Sequence, residues 1–305
     1  METTKTPTSR PTNEGGEKWI GKEMKCLDHG FIYLVDYMGD DSEIARAARV
    51  SYGRGTKKIS EDEGLIRYLL RNRHTSPFEM VEIKLHCKLP IFVARQWIRH
   101  RTADVNEYSG RYSEMPSEFY IPSLDVLQKQ SQLNKQGRED DLSDDEKQQV
   151  LSLLTQDYEK VYSDYKKLVE MGLAKELARI GLSVANYTEW YWKIDLHNLL
   201  HFLKLRLDPH AQYEIRVYAK AISQIVKDLC PMTYRAFEDY VLEAMSFSKQ
   251  EIEWIANHIS IHFSSKAYMS KDHVLKHTPF EKEIGKKVMR ETDDFVAKLK
   301  KFGFV

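Results

Sequence analysis

Residues 99–112 read RHRTADVNEYSGRY, a run in which almost every side chain can carry charge or hydrogen-bond. Guanidinium groups such as Arg99, Arg101 and Arg111 suit planar, bidentate contact with phosphate or carboxylate. Glu107, Ser109 and the upstream Gln96 can select a neutral heterocycle or a sugar by donor and acceptor pattern. A charge-assisted hydrogen bond contributes about 1.5–3 kcal/mol net, so three or four of them suffice to hold a mononucleotide. A solvated loop laced by its own Arg–Glu ion pairs would have the same composition, and residue types alone leave both readings open.

The elements around this stretch must position it. "PIFVARQWIRHR" predicts a helix that Pro90 can open, since its missing N–H is not needed there. Helical spacing pairs Arg95 with Arg99 and Gln96 with His100 on neighbouring ridges. Past Arg101 the chain should leave the helix, and Gly110 marks a tight turn where backbone N–H groups can come close to a ligand. Upstream, "FIYLVDYMG" and the segment through "VEIKLHCKLP" read as strands. "DDSEIARAARVSYG" and "SEDEGLIRYLLRNR" read as helices, the second with Ser60 and Glu63 as a capping box. Downstream, a long amphipathic helix ends at Gly172, and "AKELARIGLSV" gives a shorter one. "TEWYWKIDLHNLLHFLKLRL" mixes an aromatic strand with a helix. Asp208 and Pro209 look like the N-cap and first position of a further helix with Ala211, Ile215, Tyr218, Ile222 and Ile225 on its buried stripe. The expectation is an α+β chain with a mixed, mostly antiparallel sheet flanked by helices and a sizeable helical region.

Composition narrows the function classes. Among 305 residues, Lys plus Arg (46) balances Asp plus Glu (46), so no global field draws nucleic acid or an anionic membrane. No apolar run is long enough to span a bilayer. Cys26, Cys87 and Cys230 are widely spaced and form no CxxC pair, which points to a reducing, cytoplasmic setting and against a disulfide scaffold. Residues 1–25 read as a disordered leader without a signal-peptide centre, 26–245 as one catalytic domain with a polar loop at about 128–147, and 246–305 as a helical extension.

The order of the motif residues is more telling than their types. "RHR", seven residues, then Ser, continued as "NEYSGRY", resembles the signature of the flavin-dependent thymidylate synthases. "RHTSPFE" (73–79), "NKQGR" (134–138), "ELARIGL" and "LHFLKLRLDPHAQYEIRVYA" resemble further segments of that family, in order, across roughly residues 30–240.

The resemblance implies the family's mixed sheet and helical regions, FAD as cofactor, and conversion of dUMP to dTMP with methylenetetrahydrofolate and NADPH as co-substrates. It also implies a homotetramer whose sites are shared between subunits. For dUMP it implies contacts from Gln96, Trp97, Ile98, Arg99, Glu107, Tyr108, Ser109, Gly110 and Arg111, with Arg179 and Arg206. For FAD it implies His74, Ser76, Arg99, His100, Arg101, Glu107, Asp195, His197, His201 and His210. Arg206 is the residue expected to promote ionisation of the uracil ring, because a fixed guanidinium stabilises charge that develops beside it.

Other readings stay in view. Ser109 could be a nucleophile, but no activating base is evident and ligand binding is preferred. Cys87 and Cys230 lack an activating pattern and read as packing residues. His197 and His201 lie at i and i+4, a weak zinc spacing without a metalloprotease glutamate, so no metal site is expected. The rivals are a flavoprotein that oxidises NADPH wastefully or methylates another nucleotide, a dUMP sensor without turnover, and a zinc hydrolase.

Overall fold

The computed structural model describes residues 10–50, 62–132 and 137–253, and the chain divides into two units, Met1–Leu242 and Glu243–Val305. In the second unit the described residues 249–253 are helical. Of the expected helical extension from 246, residues 246–248 are not helical and 254–305 lie outside the described residues, as do Ser60 and most of "NKQGR".

The first unit is built on a five-stranded sheet, β1 (Met24–Cys26), β2 (Gly30–Met38), β3 (Glu82–Pro90), β4 (Asp104–Glu107) and β7 (Tyr187–Asp195), in the order β1-β2-β3-β7-β4 with every pair antiparallel. Gln128–Gln130 (β5) and Arg138–Asp141 (β6) form a separate hairpin. The helices in chain order are α1 (Glu14–Glu17), α2 (Asp41–Val50), α3 (Asp62–Arg71), α4 (Ile91–Trp97), α5 (Asp144–Glu170), α6 (Lys175–Ala178), α7 (Leu196–Arg206), α8 (Tyr213–Leu229) and α9 (Pro231–Phe237). The expected α+β class is what the chain adopts.

Strand alternation explains how the sheet faces are used. On β3, Ile83, Leu85, Cys87 and Leu89 are buried, and on β7 Trp190, Trp192 and Ile194 join them. The helices α4, α7 and α8 bring apolar stripes to the same core: Val93, Ala94 and Trp97; Leu199, Leu200 and Leu203; Ile215, Tyr218, Ile222 and Val226. Burial of such a side chain stabilises by roughly 1.5–3 kcal/mol. The opposite face carries Tyr33, His86 and Tyr191 in one cross-strand row, with His86 Nδ1 2.7 Å from the Tyr33 hydroxyl and its Nε2 3.1 Å from Glu189. Cys26, Cys87 and Cys230 are all buried and free, and burial pushes the Cys26 thiol up to about 12.

Four expectations need correction. The leader reading fails over residues 10–25: Asn13 caps α1 by accepting from Gly15 and Gly16, and Trp19 Nε1 donates to Asp228 at 2.8 Å. Within the polar stretch 128–147 the described residues are more than a loop: they include the paired strands β5 and β6 and the first turn of α5, which opens on a capping box between Ser143 and Glu146. Asp208 and Pro209 do not start α8. Asp208 instead accepts from the His210 N–H at 2.8 Å in a turn closed by Ala211 N to Asp208 O, and α8 begins at Tyr213. Finally, α4 ends at Trp97 rather than Arg101. Its buried stripe stops there, and without further packing nothing extends the helix.

Candidate active site

The motif leaves α4 with Ile98 as C-cap, and the His100 N–H donates to Trp97 O at 3.0 Å. Residues 104–107 then form β4, the outermost strand of the sheet, each residue exposed. The sequence reading missed this strand because Asp-Val-Asn-Glu has weak strand propensity and no buried face. Pairing with β7 fixes Glu107 opposite Trp190, and Glu107 Oε1 accepts from the Thr188 hydroxyl at 2.8 Å. Tyr108 N–H extends the pairing to Glu189 O at 2.8 Å. A turn follows, in which Tyr112 and Ser113 N–H both donate to Ser109 O at 3.1 Å.

Gly110 is the tightest point of that turn. A Cβ there would meet Met115 Sδ at 2.8 Å, Arg179 Nη1 at 3.1 Å and Arg179 Cδ at 3.2 Å. The glycine therefore admits the Arg179 side chain, which comes from the 3-10 turn Arg179–Gly181 after α6. Arg111 Nε donates to Glu176 of α6 at 2.9 Å, and Lys175 Nζ donates to Tyr112 O at 3.3 Å. Ser109, Gly110, Arg111 and Arg179 thus form one group, with Glu176 as a neighbour that the sequence reading did not single out.

A second group gathers where α4 meets α7. Arg206, the last residue of α7, donates from Nε to His100 Nε2 at 3.1 Å. His100 stacks edge-on against Phe202, with centroids 5.0 Å apart, and its ring lies 6.0 Å from that of His201. Burial, then the nearby Arg206 charge and the adjoining His201 ring, hold the His100 imidazole down to about 4, so it is neutral at physiological pH and can accept this bond. Burial also lowers the Arg206 guanidinium from its ordinary value, though it stays charged at neutral pH. Gln96 donates to Gln212, the N-cap of α8, another residue not foreseen.

The remaining candidates divide between surface and scaffold. Trp97 has 0% exposure and packs its indole against Trp190, Trp192, Phe202 and Tyr218, so only its backbone could meet a ligand. Ile98, Tyr108, Arg99 and Arg101 are exposed. His74 and Ser76 are exposed at the entrance to the 3-10 turn Phe78–Met80, which packs on α7. Asp195 is the N-cap of α7, accepting from the Asn198 N–H at 2.9 Å, and His197 lies in the following turn. His210 is exposed, its Nδ1 2.9 Å from Asp208. No cluster of three or more His, Cys, Asp or Glu side chains able to hold a metal occurs among the described residues.

The electrostatics answer the question raised by the motif. A self-neutralising loop would pair its arginines internally. Among the described residues, Arg99, Arg101, Arg179 and Arg206 make no ion pair, and Arg111 pairs outside the motif. Unpaired guanidiniums beside neutral hydrogen-bonding groups are suited to an anionic, heterocyclic ligand. The same donor set fits FAD: Arg99 and Arg101 suit its pyrophosphate, and His74, Ser76 and His201 can hydrogen-bond from the surface around α7.

Known proteins resemble this chain over most of its length. A family model described as thymidylate synthase complementing protein matches residues 33–232. A flavin-dependent thymidylate synthase of Gluconobacter oxydans (strain 621H) is 59% identical over 244 residues, covering 79% of this chain and 80% of that protein. One from Wolbachia pipientis wMel is 58% identical over 251 residues, covering 80% and 88%. Among solved structures, the UMP/dUMP methylase PolB of Streptomyces cacaoi bound with 5-Br dUMP superposes with a TM-score of 0.66 at 32% identity, covering 72% of this chain and 99% of that one. With most of its length matched at this identity, the chain belongs to the flavin-dependent thymidylate synthases, a family of methyltransferase enzymes.

Proposed function

We propose that this enzyme converts dUMP to dTMP, taking the carbon from methylenetetrahydrofolate and the reducing equivalents from NADPH. The observation that carries the reading is the Arg206–His100 pair: a partly buried cation oriented through Nε by a neutral imidazole. This leaves the two terminal amino groups of Arg206 without a carboxylate partner among the described residues. Carbon 5 of uracil is a poor nucleophile until negative charge develops on the ring. Arg206, held in place before substrate arrives, supplies the preorganised positive charge for that step.

The other residues bind and orient. Arg179, which packs against Gly110, and Arg111, the next residue, take the phosphate, with Ser109 as a hydrogen-bonding group rather than a nucleophile. Glu107, anchored by Thr188, and Gln96, anchored by Gln212, read the neutral part of the nucleotide. Arg99, His100, Arg101, His74, Ser76, Asp195, His197, His201 and His210 form the flavin side of the site. FAD, when bound, carries hydride equivalents between NADPH and the nucleotide.

The site is shared between the subunits of a homotetramer. In one chain no hydrogen bond or ion pair among the described residues joins the Ser109–Arg111–Arg179 group to the His100–Arg206 group. Both groups border exposed apolar side chains, Ile98 beside one and Tyr112 and Ile180 beside the other, the kind of surface that a further copy covers. No helix among the described residues is long and apolar enough to cross a membrane, and the free buried cysteines fit the cytoplasm.

The test is direct. Purified protein should be yellow with bound flavin and should form dTMP from dUMP only when both methylenetetrahydrofolate and NADPH are present. UMP offered in parallel measures selectivity against the ribonucleotide. Flavin-bound protein that consumes NADPH without forming a methylated nucleotide would overturn the reading.

A further inference from the structure

Glu214 is buried at 2% exposure in the first turn of α8, outside the residues assigned to either ligand. Its carboxylate accepts from Arg138 Nη2 at 2.7 Å on Oε1 and 2.8 Å on Oε2, and from the Tyr120 hydroxyl at 3.2 Å. Arg138, the first residue of β6, also donates from Nη1 to Val126 O at 3.1 Å. Two separate stretches of chain therefore converge on one carboxylate, and a third, through Val126 O, holds Arg138. An unpaired charge buried this deeply would be strongly destabilising, so these partners fix the start of α8 within narrow limits.

The start of α8 reaches α4 through Gln212, two residues before Glu214, which accepts from Gln96; separately, the ring of Tyr120, a partner of Glu214, lies 5.7 Å from that of Phe92. Phe92 and Gln96 are one helical turn apart and so lie on the same face of α4. Two contacts thus reach the helical face that presents Gln96, one from the N-cap of α8 and one from Tyr120, and both residues are tied to Glu214, by chain and by hydrogen bond.

We propose that Arg138, Glu214 and Tyr120 form a positioning lock that sets Gln96, through Gln212, in the geometry needed to bind the pyrimidine nucleotide. The inference rests on the reading of Gln96 as a nucleotide contact. The lock acts on nucleotide affinity and not on the chemical step, because none of its three members adjoins Arg206 or the Ser109–Arg111 turn.

Steady-state kinetics on the flavin-loaded enzyme test it, with Glu214→Gln, Tyr120→Phe, Gln212→Ala and the Glu214→Gln/Gln212→Ala double variant. Loss of one hydrogen bond at a binding residue should raise KM for dUMP roughly 10-fold while kcat stays within about twofold. Because Glu214 acts through Gln212, the double variant should be no worse than the poorer single one, the signature of coupled residues. Multiplicative effects in the double variant, or a fall in active protein with KM unchanged, would reduce the network to a structural role and overturn the proposal. If Glu214→Gln does not fold, Tyr120→Phe and Gln212→Ala decide: unchanged KM in both ends the inference. A wild-type enzyme that neither binds nor turns over dUMP would instead mean that the functional reading has failed.

Discussion

Arg206 donates from Nε to His100 Nε2 at 3.1 Å, joining the last residue of α7 to the centre of the Arg-His-Arg motif 106 positions earlier in the chain. Such a bond exists only while the imidazole is neutral, and burial beside Arg206 and His201 keeps it so by holding His100 down to about 4. The pair converts two unremarkable side chains into one oriented guanidinium.

This pairing predicts a pH response. An unfolded chain protonates His100 near its ordinary value, whereas the folded chain resists until about 4, so folding is linked to release of a proton. The stabilisation from a neutral His100 is fully present above the ordinary histidine range and is lost as pH falls toward 4. An NMR titration of the ring protons should find His100 neutral at pH 5.5; a midpoint above 6 would contradict the assigned bond.

Arg206→Ala should reduce turnover more than flavin content. Removal of a preorganised donor to developing charge typically costs 10²–10³ in kcat, whereas the flavin is held by several other residues. Comparison of kcat with the flavin absorbance of the purified variant checks this, and equal losses in both would remove Arg206 from the activating role.

Arg111 sits at 2.9 Å from Glu176, but both side chains are about half exposed, and such a pair is worth at most about 1 kcal/mol. A phosphate dianion should displace it readily. Arg111→Ala should then weaken dUMP by roughly 10–100-fold and leave deoxyuridine almost unaffected in a calorimetric titration. Equal weakening of nucleotide and nucleoside would place the phosphate elsewhere.

Gly110→Ala is the most local test of the turn. The added methyl would come within 3.1 Å of Arg179 Nη1 and 2.8 Å of Met115 Sδ, displacing the guanidinium from its place against the turn. The expected result is dUMP affinity lowered about 10-fold with thermal stability nearly unchanged, read by calorimetry and a melting curve. A variant with wild-type affinity would show that Arg179 does not need this approach.

Much of this arrangement was legible in the sequence, for identifiable reasons. The aromatic and β-branched runs of β2, β3 and β7 have a buried alternate face, so periodicity reveals them. Four of the five stripe residues, Ile215, Tyr218, Ile222 and Ile225, are buried on α8, but Ala211 falls in the preceding turn, because Asp208-Pro209 has the chemistry of a cap and serves as a turn. β4 was invisible because its strand character comes only from pairing with β7. Trp97, two residues before the motif, joins the core through an indole that no local pattern distinguishes from a ligand contact. Gln212, Glu176 and the Arg138–Glu214 pair join residues far apart in sequence, and long-range pairing leaves no periodic trace.

The central claim is that this site activates carbon 5 of dUMP for methylation. Tritium release from dUMP labelled at carbon 5, with methylenetetrahydrofolate and NADPH omitted in turn, tests it most directly. The account predicts sustained release to water in the complete mixture, loss of dTMP formation when either co-substrate is withheld, and near abolition of both in Arg206→Ala. Retention of the label at carbon 5 by flavin-loaded enzyme in the complete mixture would contradict it.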